Sequence, residues 1–515
     1  MSSSAAELAE IVVVERFGPV ISNIASVLFR TAPLTWPLLT ARSERPSAEV
    51  KQALCILLEH GVVKCEQRPS TSSVLYKADF DAVFDLVMIP RCILAAKTLY
   101  GDVAEGIVEE LAADASLTLQ DCINRVVTRL ESNEADVRSS FGKLAEAQMV
   151  MKCDVVNLDT ENDETEQSSS SAALPSFVPV KDPFTLPLDT SQKTGSGKKR
   201  KQEEELEERW KLNYRKFALY LRDELIVEMV ASLSDRDCSL VIRSLLKLSE
   251  LKTDINTPYS SPIPVNQLVK SSNLEMNREK LEKCLQFVLE LPSFCLRKAG
   301  ESGGGMLVID FAQATQALCR SVVENVVREK FGSKALRLFR LLLEKQYLEQ
   351  NEIESLSMLP GKEAKELTYK LLTERFITIK EVAKSTDFSP AKTIYLFHAD
   401  LLEVARMLLD LCCKSLMNVV LRRQHQHTEH KSLLERQEKI DAIVANIQAD
   451  EGLTDEAKEE QMAEIQDVYM TETEKQALDK YRQGVAALQR AEMQLAHSLF
   501  ILRLYLQYNS APPSK

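Results

Sequence analysis

Apolar residues recur at one spacing in four places along the chain. Counting from Val50, Val137, Leu281 and Ala364, the seventh residue on is Leu57, Leu144, Val288 or Leu371, and the thirteenth is Val63, Val150, Phe294 or Ile377. Within each segment apolar positions fall three and four apart, the repeat of one helix face. A turn and a few β-branched or aromatic residues follow, which read as a strand. Two shorter helical stretches precede each copy. In the first they span 20–30 and 34–41, ahead of a third helix over 46–60 that Gly61 ends. Strands at 62–66 and 74–77 then enclose a polar tip with Pro69, which predicts a hairpin.

Three helices followed by a hairpin make a winged helix. Copy two (103–153) has the helices but a weak hairpin, because acidic polar sequence follows Cys153 directly. Copy three (235–310) places strands 294–298 and 306–309 around a glycine-rich tip at 300–305, where positive φ is easily taken. Copy four (332–397) closes its hairpin around 382–390.

Copies one and two start 87 residues apart and copies three and four 83 apart, but copies two and three are separated by 144. The excess is a linker. It holds Asp159, Glu161, Asp163, Glu164 and Glu166, then a serine run, prolines, and finally Lys198, Lys199, Arg200 and Lys201. Too few apolar residues remain there to offset the entropy of ordering, so disorder is expected. Beyond 397 the pattern becomes that of long helices. Leu478, Tyr481, Val485, Leu488, Glu492, Leu495, Leu499, Leu502 and Leu506 alternate three and four apart, a coiled-coil seam. A matching row runs through Leu402, Ala405, Leu409, Cys412, Leu416 and Val419 and resumes at Leu433, Ile440, Val444 and Ile447, so the two should pair antiparallel. The expected fold is mostly α with small β-hairpin wings: winged helices at 1–88, 89–153, 210–310 and 311–397, a linker at 154–209, and a coiled-coil hairpin at 398–515.

Composition narrows the function. The formal charge of −12 excludes a protein that coats nucleic acid by bulk attraction. Eleven scattered cysteines with no C-x-x-C suggest neither a disulfide framework nor a zinc ribbon, and they read as small buried apolar residues of a reducing compartment. No apolar run is long enough to cross a membrane, and the N-terminus lacks the pattern of a signal peptide, so no membrane partner is expected. The cation run Lys198, Lys199, Arg200, Lys201 is the kind that import receptors read, which predicts a nuclear protein.

Catalytic and cofactor chemistry is missing from the pattern. The stretch around Gly195 and Gly197 has Gln192 where a phosphate loop needs its first glycine, and Lys199 where it needs the metal-binding hydroxyl. His425 and His427 point to opposite sides of a helix, leaving only His427 and His430 as a ligand pair. No catalytic residue, metal or cofactor is expected. By local charge only the first and fourth winged helices are basic, with 7 Lys and Arg against 4 Asp and Glu over 30–77 and 11 against 9 over 332–397. Arg42, Arg45, Lys51, Arg68 and Lys77 gather around the third helix and wing of the first, where this fold meets a phosphate backbone. The third helices carry cations and acids alike, which argues against reading of base sequence.

The segments 89–100 (IPRCILAAKTLY), 107–111 (IVEEL), 300–306 (GESGGGM), 331–339 (FGSKALRLF) and 360–365 (PGKEAK) extend this architecture into a specific likeness. The chain resembles the third-largest subunit of eukaryotic RNA polymerase III, a family related to the large subunit of TFIIE but without a counterpart here of the TFIIE zinc ribbon. The resemblance covers nearly all of the chain outside the linker. It implies a non-catalytic subunit that joins two smaller subunits in a trimer, sits on the clamp of the largest subunit, and supports promoter opening and initiation on transfer RNA and 5S ribosomal RNA genes. Single-stranded or promoter DNA is a further expected contact. The coiled-coil residues Leu478, Tyr481, Val485, Leu488, Leu495, Leu499 and Leu502, with an outer face that includes Phe500, Ile501 and Tyr505, are expected to receive a partner. Two other readings are a winged-helix scaffold of the cullin or proteasome-lid kind, without nucleic-acid contact, and a sequence-specific transcription factor.

Overall fold

The computed structural model describes residues 3–67, 74–153, 155–156, 177–178, 183–184, 208–270, 277–290, 296–300, 305–383, 393–449 and 470–510. These fall into two compact units, Val12–Met407 with Ile501–Lys515, and Met1–Ile11 with Leu408–Phe500.

The first unit repeats one module four times. A long helix leads into three shorter helices, with a two-residue strand after the first of them, and a two-stranded wing closes the module. In module one these are α1 (Ser3–Phe17), of which only the part from Val12 belongs to this unit, α2 (Pro19–Arg30), β1 (Leu34–Thr35), α3 (Trp36–Ser43), α4 (Ser47–Glu59), β2 (Val63–Gln67) and β3 (Val74–Ala78). Module two runs through α5 (Phe80–Tyr100), α6 (Asp102–Asp114), β4 (Leu117–Thr118), α7 (Leu119–Leu130), α8 (Glu134–Glu146) and β5 (Val150–Lys152). A small ladder, β6 (Val155–Val156) with β7 (Phe177–Val178), comes next, and β8 (Arg209–Leu212) follows. Module three has α9 (Tyr214–Leu233), α10 (Arg236–Ser249), β9 (Ile263–Pro264), α11 (Val265–Lys270), α12 (Arg278–Glu290), β10 (Leu296–Gly300) and β11 (Met306–Ile309). Module four has α13 (Phe311–Phe331), α14 (Ser333–Lys345), β12 (Tyr347–Leu348), α15 (Gln350–Ser357), α16 (Gly361–Thr373), β13 (Thr378–Ala383) and β14 (Thr393–His398).

The repeat is built from inside. α4, α8, α12 and α16 are each 13 residues long. Their marker residues Val50, Val137, Leu281 and Ala364, and Leu57, Leu144, Val288 and Leu371 one turn pair later, are all buried, as are Val63, Val150 and Ile377. Phe294 lies outside the described residues. The turns repeat too. Glu44, Glu131 and Met358, six residues before the marker, have positive φ, as do Gly61, Gln148 and Arg375, eleven after it. A left-handed residue at each end of the third helix turns the chain sharply enough to lay the wing back on the helices.

The wings revise the sequence reading at one place. The sheets are ordered β1-β3-β2, β4-β8-β5, β9-β11-β10 and β12-β14-β13. In the second, Val150–Lys152 pairs with Leu212–Trp210, so the strand that completes wing two lies beyond the stretch expected to be a linker between domains. Cys153 N–H donates to the Arg209 carbonyl at 2.8 Å, which brings the two ends of that stretch together. Residues 154–208 are therefore an insertion in wing two, and the boundary expected at 209/210 falls inside a strand. The sequence hides this because Arg209–Leu212 follows a dense run of charge. Trp210 fixes the strand in place: it is fully buried and meets Phe141 edge-on at 5.2 Å.

The second unit carries the antiparallel pair. α17 (Leu401–Glu429) and α18 (Lys431–Ala449) precede α19 (Glu472–Ser510). Arg423 pairs with Glu492 at 3.3 Å, His427 meets Tyr481 at 3.3 Å, and Arg436 pairs with Glu474 at 2.6 Å, a falling register along a rising one. The region expected as one hairpin, 398–515, is divided, since Ile501–Lys515 belongs to the unit of the four modules.

Candidate nucleic-acid interface

On α4 the buried stripe leaves Lys51, Gln52, Cys55 and Glu59 exposed. Lys51 and Arg42 are exposed and form no ion pair among the described residues. Arg45 is also exposed but lies 3.9 Å from Glu49, and Lys77 is held by Glu66 at 3.0 Å across the wing. Lys64 on the same wing is ion-paired with Asp79. Arg68 lies outside the described residues, as do Lys198, Lys199, Arg200 and Lys201. Three of the four described cations that the sequence singled out therefore share one end of α4, and Lys77 stands apart on the wing with its charge cancelled. Exposed pairs of this kind contribute only about 0–1 kcal/mol, so a phosphate can compete for the cation, but the patch has little net field of its own.

A larger feature was not visible in the sequence. Residues from modules one, two and three line a cleft of about 810 Å³ that includes Lys64, Lys211, Arg215, Lys216, Lys252 and Phe184. Lys216 is buried and paired with Glu250 at 2.9 Å. Burial first and the Arg16 guanidinium second hold His60, at its rim, down to about 4, against the pull of Asp114. Asp85, also lining it, is pushed up to about 6 by burial, with Asp81 and Asp79 adding to the shift and Arg503 and Arg215 opposing it. Glu59, Asp79, Asp85, Glu250 and Asp254 balance the cations, so the cleft favours no charged ligand. Sequence counting missed it because Lys211 and Arg215 sit after the insertion and Lys252 belongs to a different module.

Elsewhere the exposed faces carry other chemistry. On α16, Lys370 pairs with Glu366 at 2.8 Å and Lys365 lies 3.5 Å from Glu354, while Tyr369 stands 69% exposed between them. Among the described residues no group of three or more His, Cys, Asp or Glu comes together as a metal site, and His430 Nδ1 faces the Gln426 carbonyl at 3.0 Å. Cys92, Cys122, Cys238, Cys319 and Cys413 are buried as expected, but Cys55 and Cys65 are exposed.

Part of the seam expected to receive a partner is used within the chain. Leu478 packs with Ile440 and Met470, against Leu434, Val444 and Tyr481. Val485, Leu488 and Leu495 are half-buried, and Leu499 and Leu502 are buried. Ile501 and Tyr505, expected on an outer face, are buried as well, and Phe500 is half-buried. The last turns of α19 are tied down by polar contacts: Tyr508 Oη donates to the Ile255 carbonyl at 2.8 Å, and Arg503 pairs with Asp81 at 2.5 Å while stacking on Phe84. A heptad pattern marks burial but does not say whose helix covers it.

Comparison with known proteins covers the whole architecture. Family models match at residues 7–65 (RNA polymerase III subunit RPC82 helix-turn-helix domain), 181–318 (RNA polymerase III subunit RPC82), 323–399 (POLR3C, C-terminal winged-helix domain) and 432–501 (DNA-directed RNA polymerase III subunit RPC3, helical hairpin domain). The DNA-directed RNA polymerase III subunit RPC3 of Bos taurus is 32% identical over 538 residues, covering 98% of this chain and 99% of the relative. Its Homo sapiens counterpart is 32% identical over 540 residues with the same coverage, and that of Danio rerio 30% identical over 544 residues.

Proposed function

The chain belongs to the RPC3 (RPC82) family of RNA polymerase III subunits, and we propose that it docks on the clamp of the largest subunit, in a trimer with two smaller subunits, and supports promoter opening. It is a non-catalytic subunit of a DNA-directed RNA polymerase that acts in the nucleus, and its partners are other subunits of that enzyme. The observation that carries the proposal is likeness from end to end, over 98% of this chain and 99% of the relative. Winged helices with mixed charge on their third helices suit backbone or single-strand contact better than base readout, which fits a role in holding opened DNA on transfer RNA and 5S ribosomal RNA genes. Within that role Arg42, Arg45, Lys51, Arg68 and Lys77 are the proposed DNA contacts, and Lys198, Lys199, Arg200 and Lys201 the proposed import signal.

Polymerase III purified without this chain, then restored with it, tests the opening role. On a closed transfer RNA gene template the depleted enzyme should be inactive and restoration should recover transcription. On a template with a pre-melted bubble both preparations should transcribe alike. Equal loss on both templates, or no loss on either, contradicts the proposal.

A further inference from the structure

Each of the four wings ends in an edge strand, whose outward N–H and C=O groups can template another strand unless something blocks them. Three are blocked. β2 is flanked by the ion pairs of Lys64 with Asp79 and Lys77 with Glu66. β5 has three residues, and Lys152 N–H on it already donates to the Pro183 carbonyl of the insertion at 2.9 Å. β10 carries Arg297 and Lys298, its register shifts between Lys298 and Gly300, and Arg297 is pinned to Asp310 at 2.6 Å. Charge, covering chain and a bulge are the ordinary ways a protein protects an edge.

β13 differs: it has no bulge and, among the described residues, no covering chain, and its two charges, Lys380 and Glu381, form no ion pair there. It pairs with β14 over six consecutive residues, Thr378↔His398 to Ala383↔Thr393, without a shift, and all six of its residues are exposed. Apolar side chains occupy both faces: Ile379 is 39% exposed, Val382 41%, and Tyr395 on β14 40%. The hairpin is also stiffened at its base, where Tyr347 stacks on His398 at 4.5 Å and Lys380 lies over the Tyr347 ring. A regular edge that exposes apolar side chains on both faces is disfavoured in water unless a partner uses it. We propose that β13 is a docking edge, to which an extended segment of a different polypeptide adds as a fourth antiparallel or parallel strand.

A second copy of the chain is the wrong occupant. Two β13 strands paired antiparallel are related by a two-fold axis normal to the sheet, so residues of the same face must meet. The registers that use most of the strand then set Lys380 against Lys380 or Glu381 against Glu381, and like charges directly opposite are destabilising. A foreign strand escapes this by placing a carboxylate opposite Lys380 and a cation opposite Glu381, with β-branched residues beside Ile379 and Val382. The edge itself supports this inference, which does not depend on the polymerase reading.

Amide exchange of the full chain, alone and in the assembly that a tagged copy retains from cells, tests it. The amides of 378–383 that point away from β14 should exchange freely in the isolated chain and at least tenfold more slowly in the assembly. Ile379→Lys with Val382→Lys should abolish that slowing while exchange in α14 and α16 is unchanged. Should that variant loosen the module, Lys380→Glu, which spares the apolar positions, should weaken the slowing instead. Equal exchange in both samples overturns the proposal. So does slowing in the isolated chain that grows with its concentration, which indicates a second copy, or slowing that nuclease treatment removes, which indicates nucleic acid. Identification of the co-purified subunits separates the two readings. Polymerase subunits with an unprotected β13 sink this inference alone, and a protected β13 without them sinks the polymerase reading alone.

Discussion

Modules one and four share an interior and differ outside. Val50, Leu57 and Val63 in one, and Ala364, Leu371 and Ile377 in the other, occupy the same buried positions, and both third helices have 13 residues between left-handed turns. Their surfaces have little in common. Wing one pairs over five residues and its lysines are cancelled by Glu66 and Asp79, whereas wing four pairs over six and exposes Ile379 and Val382 along its edge. The lesson is that the repeated buried pattern specifies the module, and the exposed residues, free to vary under the same core, decide what each module meets.

The comparison predicts the largest effect where the modules agree. Leu57→Ala and Leu371→Ala each remove a fully buried side chain and should destabilise their own module by a similar amount, about 2–5 kcal/mol. Amide exchange resolved to the two modules reads this, and a large loss in one with none in the other would break the equivalence.

The left-handed turn sharpens it, because equivalent positions carry different residues. Gly61 has φ of 71° with nothing near its absent Cβ, and Arg375 has φ of 61°. Gly61→Ala should cost about 1–2 kcal/mol through backbone strain alone, and Arg375→Gly should change stability by less than that, with the opposite sign. The same exchange measurement applies.

A pH effect separates modules one and two, whose His60 and Asp85 line the cleft, from module four, which does not border it. The folded value of His60 lies near 4, below the ordinary 6.5, so its contribution is intact above pH 6.5 and lost as pH falls toward 4. The folded value of Asp85 lies near 6, above the ordinary 3.8, so its contribution is present at low pH and lost as pH rises through 6. Between pH 4 and 6 the two oppose each other. Relative to wild type, Asp85→Asn should make the protein lose stability more steeply as pH falls from 6.5 to 4. His60→Gln should make it lose stability as pH rises from 4 to 6. Thermal melting across this range decides, and slopes of the same sign in both variants contradict the assignment.

Surface changes come last. Arg42→Ala with Lys51→Ala should alter stability by no more than about 0.5 kcal/mol. If both contact a single strand, the slope of log K against log salt should shrink by about 0.7 for each. An unchanged slope removes them from the interface.

Much of the fold was legible because burial imposes a period. The four third helices and the seam at 478–502 all follow from apolar spacing, and all are where that spacing puts them. The two-residue strands β1, β4, β9 and β12 are too short to have a period, and Arg209–Leu212 could not be assigned to wing two across a long insertion without knowing its partner strand. The candidate interface was legible only as residue type. Lys77 and Arg42 look alike in a sequence, but only the first faces an acid, and that depends on cross-strand register. The same holds for Ile501 and Tyr505, whose apolar character indicated burial while leaving open that the rest of this chain supplies the cover.

Membership of these modules in RNA polymerase III is read by quantitative mass spectrometry of what a tagged full-length chain retains from nuclear extract. The catalytic subunits of RNA polymerase III, and two smaller subunits, should be recovered in amounts equal to the chain itself. Recovery of cullin or proteasome-lid components in their place, or of the chain alone, would contradict that membership.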